Sequence, residues 1–222
     1  MQKVVIYGSG QVGAFAAYIF SYSRDVQVVG FLDDDQQRWG QECEGLPVLG
    51  DGSLLPKLLQ QGVGGALPAI GSNRARGRVA ARLEDQGFRL VSAVHPSAHI
   101  SPRAQLGGGA IVGPGAIISL HSTVGRCAYI GIGALISHDV SVGDDVLISV
   151  GCVIAARVDV ESGAFIGAGA RLVPAEMGQN VRLKIGANAV VGAGAVVLAD
   201  VPPRAVAVGA PAKVVRYVDA AE

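Results

Sequence analysis

The sequence is poor in aromatic residues, poor in cysteine and free of any excess of one charge. Aromatics are 5 % of its 222 residues, so the interior must be filled by small branched side chains rather than large rings. The three cysteines, Cys43, Cys127 and Cys152, are odd in number and lack CxxC spacing. That argues against a disulfide framework or a zinc knuckle and fits a reducing cytoplasm. Lys plus Arg total 18 and Asp plus Glu total 18, which gives no electrostatic case for nucleic acid or an anionic membrane as partner. No apolar run is long enough to span a bilayer. The opening MQKVVIYGSG has no basic n-region, long apolar h-region or cleavage site, so neither membrane insertion nor a signal peptide is expected. What the chain does have is glycine, 32 residues of it, in a background that is 50 % apolar. Many tight turns around a core of Val, Ile, Leu and Ala are implied.

Two stretches follow different rules. Residues 1–94 alternate strand and helix patterns. KVVIY (3–7) reads as a strand, GSGQVG (8–13) as a turn, and an amphipathic stretch runs on to about Ser23. VQVVGFLDD (26–34) is a second strand ending in acids, LLPKLLQQG (54–62) a short helix and GALPAIG (65–71) a strand. RARGRVAARLEDQG (74–87) has helical spacing with Gly87 placed as a C-cap, and FRLVSAV (88–94) is a last strand. Strands separated by helices imply a small parallel sheet with crossover helices.

From residue 100 an aliphatic side chain returns every sixth position: Ile100, Leu106, Val112, Ile118, Val124, Ile130, Ile136, Val142, Ile148, Ile154, Val160, Ile166, Leu172. Four places after each sits a small or branched residue, Ala104 and Ser122 among them. Period six is neither a helix nor an ordinary half-buried strand, and it is the signature of a parallel β-helix. Three hexads close one triangular coil, with positions one and five turned inward and the others on faces and corners. The register breaks in VPAEMGQNVRLK (173–184) and resumes at Ile185, Val191 and Val197. The insertion either builds a binding face or is a tolerated surface loop.

The register decides how the histidines are read. His138 and Asp139 occupy positions three and four of their hexad, so both belong to a corner and not to the core. A carboxylate beside an imidazole can orient it as an acid–base group. His121 lies 18 residues before Asp139, one coil below on the same corner, and reads as a neighbour. His95 and His99 fall in VHPSAHIS, a connector marked by Pro96 and Pro102, where structural roles are expected. No third histidine has matching spacing, so a metal site is set behind acid–base chemistry.

In the first half Gly8, Gly10 and Gly13 follow a strand and open a helix, the arrangement that offers backbone N–H groups to a phosphate. Asp33 and Asp34 follow about where a ribose-binding acid belongs. Ninety-four residues are few for a full dinucleotide fold, so a nucleotide or nucleotide-sugar is favoured over NAD. Asn73, Arg74 and Arg76 are candidate partners for a diphosphate or a solvated helix face.

Taken together, VVIYGSGQVG, VVGFLDDD, AIGSNRAR, LVSAVHPSAHIS, the hexads with SHDVSVGDD, and VAVGAPAKVV resemble the hexapeptide-repeat sugar acetyltransferases of the sialic-acid O-acetyltransferase and bacillosamine-pathway N-acetyltransferase type. The resemblance spans essentially the whole chain. It implies an α/β N-terminal nucleotide-binding domain, a small Rossmann-like parallel sheet over 1–94, followed by an all-β left-handed parallel β-helix over 95–222. It implies a cytoplasmic homotrimer with acetyl-CoA as co-substrate, no metal, and a nucleotide-linked amino sugar as acceptor. It carries the catalytic histidine onto His138 and its supporting acid onto Asp139. Nucleotide-sugar contacts fall on Gly10, Gln11, Val12, Asp33, Asp34 and Gly71, and acetyl-CoA contacts near Leu147, Ala156, Ala168 and Gly192. The chain departs from the family pattern in Gln11-Val12, in GIGA (131–134), and at Leu147, where many members carry a histidine. Transfer to a sugar hydroxyl, or a trimeric scaffold that binds a nucleotide-sugar without catalysis, are the alternatives.

Overall fold

The computed structural model describes residues 1–174 and 182–218. Most of the insertion at 173–184 therefore lies outside the described residues. The chain forms two compact units, one of residues 1–95 with 108–111, the other of 96–107 with the residues from 112 onward.

The first unit is a six-stranded sheet in the order β3-β4-β2-β1-β5-β6. The strands are β1 (Gln2–Tyr7), β2 (Val26–Leu32), β3 (Glu42–Cys43), β4 (Leu46–Gly50), β5 (Gly65–Pro68) and β6 (Arg89–Leu90). All neighbours run parallel except β3 and β4. β1 lies between β2 and β5, and Val4, Val5, Ile6 and Tyr7 are all buried, as expected of a continuous apolar run inside a parallel sheet. The helices are α1 (Gln11–Phe20), α2 (Leu55–Gln60) and α3 (Asn73–Asp85). Ser72 caps α3 by accepting the Ala75 N–H at 3.3 Å, and Gly87, just past its end, has φ +90°. The β3–β4 hairpin is absent from the periodicity reading, because strands this short carry too few residues to show alternation. Its turn, Glu44-Gly45, has positive φ at both residues, the geometry that suits a two-residue hairpin. The single strand expected over 88–94 is two pieces: β6 and a second pair, Ala93–Val94, whose Ala93 N–H donates to the Ala110 carbonyl at 2.9 Å.

The second unit is a left-handed parallel β-helix. Its strands are mostly two residues long, and up to the insertion each pairs with the strand 18 residues on: Ile117 with Leu135 with Val153, Thr123 with Ser141 with Asp159, Tyr129 with Leu147 with Phe165. The aliphatic at hexad position one is buried from Val112 through Leu172, while Ile100 and Leu106, in the first coil, are only partly covered. Position five is buried from Ala116 through Ala170. Modest, similar volumes at these two positions let each coil stack on the next without voids. At the far end the chain reverses into an antiparallel pair, Ala205–Gly209 with Ala212–Tyr217, which the hexad pattern does not announce. That pair supplies the outer edge of one sheet of the stack.

Candidate active site and nucleotide pocket

In the first unit, the carboxyl ends of β1, β2 and β5 surround a cavity of about 420 Å³. Gly10, Gln11, Val12, Asp33, Asp34 and Gly71 all line it, joined by Tyr7, Gly8, Arg38, Ala69 and Ile70. Such a crevice beyond the strand ends is where ligands bind in open parallel sheets. Helix α1 starts at its rim with Gly10 as N-cap and neither a side-chain cap nor an acid in its first turn, so its leading N–H groups stay available to an anion. The turn needs glycine for contact reasons. A Cβ on Gly8, at φ +109°, would meet the Ala69 carbonyl oxygen at 2.6 Å, and a Cβ on Gly13 would meet the Gly8 carbonyl oxygen at 1.9 Å.

The two acids are not equivalent. The Asp33 carboxylate accepts from the Ser9 N–H at 2.8 Å, the Ser9 hydroxyl at 2.7 Å and the Asp35 N–H at 3.0 Å. It braces the glycine turn from within. Burial pushes its pKa up, but the N–H donors of Ser9 and Asp35, the Ser9 hydroxyl and the charge of Arg38 outweigh that, and the net shift is downward. Asp34 accepts from the Tyr7 hydroxyl at 2.5 Å on one oxygen only, and Arg82 donates to the same hydroxyl at 3.0 Å. Burial first, and then the bond to Asp34, push the Tyr7 phenol far above its ordinary pKa, so it stays a donor. Asp34 is thus the acid with an oxygen left for a ligand. Arg38 donates to the Ser9 carbonyl at 3.1 Å at the same rim. Arg76 is not a diphosphate partner. It is 1 % exposed, and its guanidinium is committed to the Ile70 carbonyl at 2.9 Å and Asn73 Oδ1 at 2.8 Å.

Asp33 gives a pH prediction. Its folded pKa lies below the unfolded value of about 4, so its stabilisation is complete above that value and is lost as pH falls through the folded one. Asp33→Asn should lower the melting temperature at neutral pH and flatten its fall as pH drops below about 4. Scanning calorimetry across that range checks it. An unchanged acid limb would remove Asp33 from the account.

In the second unit, His138 and Asp139 sit in the turn after strand Leu135–Ile136, with side chains 49 % and 44 % exposed. Position four requires a left-handed backbone, and Asp139 adopts φ +58°, which Asp tolerates better than most residues. Its Oδ2 lies 2.8 Å from His138 Nδ1, and its Oδ1 lies 3.6 Å from Nδ1 of His121, one coil below. The hydrogen bond to His138, helped by electrostatic attraction from His138, His121 and Arg157, holds the Asp139 carboxyl below its usual range against a desolvation that would raise it. With Nδ1 engaged, the free nitrogen of His138 is Nε2. Arg182 ties the corner from outside: it donates to the Asp139 carbonyl at 3.0 Å and grips Asp159 at 2.5 and 2.7 Å. Neither Arg182 nor Asp159 is visible as a site residue in the sequence, because the contact skips 43 positions.

The four residues carried over as acetyl-CoA contacts divide between corners and a face. Ala156 is 18 residues after His138 and lies on the next coil of the same corner. Ala168 lies in the turn 167–170 and Gly192 begins the turn 192–195, both on another corner. The sheet carrying Ile117, Leu135 and Val153 runs between the two corners. Leu147 points out from a different face, between Tyr129 and Phe165 in the ladder, and is 9 % exposed. Among the described residues, no group of three or more His, Cys, Asp or Glu could hold a metal ion, and no helix is long and apolar enough to cross a membrane.

Residues 3–83 match the family model described as the PglD N-terminal domain. Comparison with curated protein sequences gives no match. Among solved structures, a histidine-to-asparagine variant of perosamine N-acetyltransferase from Caulobacter crescentus, in complex with CoA and GDP-perosamine, is 36 % identical with a TM-score of 0.89, over 97 % of this chain and 98 % of that one. The acetyltransferase domain of PglB from Neisseria gonorrhoeae, in complex with acetyl coenzyme A, is 26 % identical with a TM-score of 0.86, over 96 % and 99 %. WeeI from Acinetobacter baumannii shares the fold at 24 % identity and a TM-score of 0.83, over 97 % and 100 %.

Proposed function

This chain belongs to the hexapeptide-repeat sugar acetyltransferases, acyltransferases built on a left-handed β-helix, and from that premise we propose that it acetylates the amino group of a nucleotide-linked sugar with His138 as general base. The observation that carries the reading is His138 itself: an imidazole on an exposed corner, with Nδ1 held by Asp139 at 2.8 Å and Nε2 left to meet a proton. The relative from Caulobacter crescentus, crystallised with CoA and GDP-perosamine together, supports a two-substrate reaction of this kind.

The steps are these. The sugar amine attacks the thioester carbonyl of acetyl-CoA, forming the C–N bond. His138 Nε2 takes the proton that the nitrogen sheds, and Asp139 stabilises the imidazolium. The tetrahedral intermediate collapses with cleavage of the C–S bond, and the imidazolium returns its proton to the departing thiolate. Leu147 has no donor to offer the acetyl oxygen, so backbone N–H groups stabilise the oxyanion. Positioning two bound substrates supplies much of the acceleration. The cavity lined by Gln11, Asp34 and Arg38 holds the nucleotide. The three cysteines are free thiols, and a cytoplasmic setting suits them and the acetyl-CoA supply.

We further propose a homotrimer in which one copy supplies the corner of His138 and Ala156 and its neighbour the corner of Ala168 and Gly192. An exposed apolar strip favours it: Ile117, Leu120, Ile132, Leu135 and Val150 are each 37–50 % exposed on that face and its two corners. Leu135→Asp should convert a trimer into monomers and abolish turnover, as read by light scattering and activity. A wild-type monomer in solution would overturn the assembly.

The direct test is thiol release from acetyl-CoA against UDP-, GDP- and dTDP-linked amino sugars and their hydroxyl counterparts, with mass spectrometry of products. One amino sugar should yield an N-acetyl product with one thiol released per acetyl transferred. Acetylation of a hydroxyl sugar alone would move the assignment to O-acetylation. Acetyl-CoA binding without transfer to any sugar would make the protein a scaffold.

A further inference from the structure

The interior of the β-helix holds one hydroxyl where its place in the repeat calls for an apolar side chain. Ser122 occupies position five, filled by alanine in Ala104, Ala110, Ala116, Ala128 and Ala134, and it is 0 % exposed. A buried hydroxyl needs partners, and Ser122 has two. Its Oγ donates to the Ser137 carbonyl at 2.7 Å and accepts from the Val140 N–H at 3.2 Å. The two residues between those groups are His138 and Asp139.

At several other turns of the repeat the equivalent pair of groups closes directly. The Ala104 N–H donates to the Ser101 carbonyl at 2.9 Å, Ala134 to Gly131 at 3.2 Å, Ala170 to Gly167 at 3.1 Å and Ala195 to Gly192 at 3.2 Å. At 137–140 the hydroxyl stands inside that bond and bridges its two ends. Cys152, at the same repeat position, offers a contrast. Its thiol donates to the Gly167 carbonyl at 3.1 Å, fifteen residues on as Ser137 is from Ser122, yet the Ala170–Gly167 bond remains closed. Ser92 Oγ likewise accepts the Ala110 N–H at 3.1 Å, 18 residues on, but the turn bridged by Ser122 is the one that carries the imidazole.

We propose that Ser122 is a positioning residue for acetyl transfer: from inside the core it holds the 137–140 turn open and so sets where His138 and Asp139 stand. The inference rests on His138 being the general base. Without the hydroxyl, the Val140 N–H and Ser137 carbonyl can bond directly, as the ends of turns 131–134 and 167–170 do, and the corner tightens. The imidazole then moves although no group that touches substrate has changed. A displacement of about 1 Å at a reacting group can cost on the order of 100-fold in rate.

The test uses the full-length protein with Ser122→Ala, Ser122→Thr and His138→Asn side by side. Alanine is the usual occupant of this position, so Ser122→Ala should fold, with its melting temperature within a few degrees of wild type. Its kcat should fall about 10- to 100-fold while KM for both substrates stays within about threefold. Ser122→Thr, which keeps the hydroxyl in a volume already accepted at Val140 and Val146, should recover to within about fivefold of wild type. A crystal structure of Ser122→Ala should show the Val140 N–H bonded directly to the Ser137 carbonyl. Wild-type kcat in Ser122→Ala would overturn the role, as would equal losses in Ala and Thr that track a loss of melting temperature. His138→Asn separates the two readings. If it alone keeps full rate, the base assignment fails. If it is dead while Ser122→Ala is fully active, only the positioning role fails.

Discussion

His138→Asn should lower kcat by about 10²–10⁴-fold, the range supplied by a positioned general base, and leave the assembly intact. The side chain is half exposed at a corner and packs no core, so its removal opens no cavity. Asparagine can still donate to Asp139 but cannot accept and hold a proton. KM for the nucleotide-sugar should hardly change, because the pocket proposed to hold its nucleotide lies in the first unit. A parallel fall in kcat and kcat/KM is the signature of an interaction realised only in the transition state. Asp139→Asn should cost less, since it weakens the orientation of the ring without deleting it. A rate within threefold of wild type in His138→Asn, with the trimer present, would remove the base from the mechanism.

Gly13→Ala should be the most damaging conservative change in the first unit. The added methyl would sit 1.9 Å from the Gly8 carbonyl oxygen and 2.9 Å from its carbonyl carbon. Both are backbone atoms of the turn that ends β1, so no rotamer change relieves the clash. Helix α1 must shift away from the strand, and its N-terminus withdraws from the pocket rim. Overpacking of this kind costs about 1–3 kcal/mol and sometimes more, which for a chain of this size means a fall in melting temperature of roughly 3–12 °C. Affinity for the nucleotide-sugar should fall with it, by more than tenfold in calorimetric titration. Gly10→Ala is the control, because a Cβ there meets nothing within 4 Å. If both variants bind equally well, the close approach of helix and strand is not what shapes the site.

The hexad repeat was legible residue by residue because its period is set locally. Every coil makes the same demand on volume, so Ile118, Ile136 and Ile154 declare the fold without any long-range knowledge. His138 could be taken out of the core for the same reason. The glycine turn was legible as a turn, but which glycine is indispensable was not. Gly10 and Gly13 look alike in GSGQVG, and only the path of the chain puts Gly13 against Gly8. Asp33 and Asp34 are adjacent and chemically identical, yet three donors saturate one while the other keeps an oxygen free. Arg76 read equally as a diphosphate partner or as part of a solvated helix face, and its burial makes it neither, tying it to the backbone of Ile70.

The amino-acid order alone determined the class of architecture, the winding of residues 100–172 and the exposed placement of one histidine, since each follows from periodic burial of apolar side chains. Only the tertiary structure decided what surrounds that histidine: the carboxylate oxygens shared with His121, the guanidinium of Arg182 and the inserted hydroxyl of Ser122. Contacts that join residues 15 to 43 positions apart arise from how coils stack. A hydrogen bond needs both partners placed to within a fraction of an ångström, which no pattern of hydrophobicity encodes.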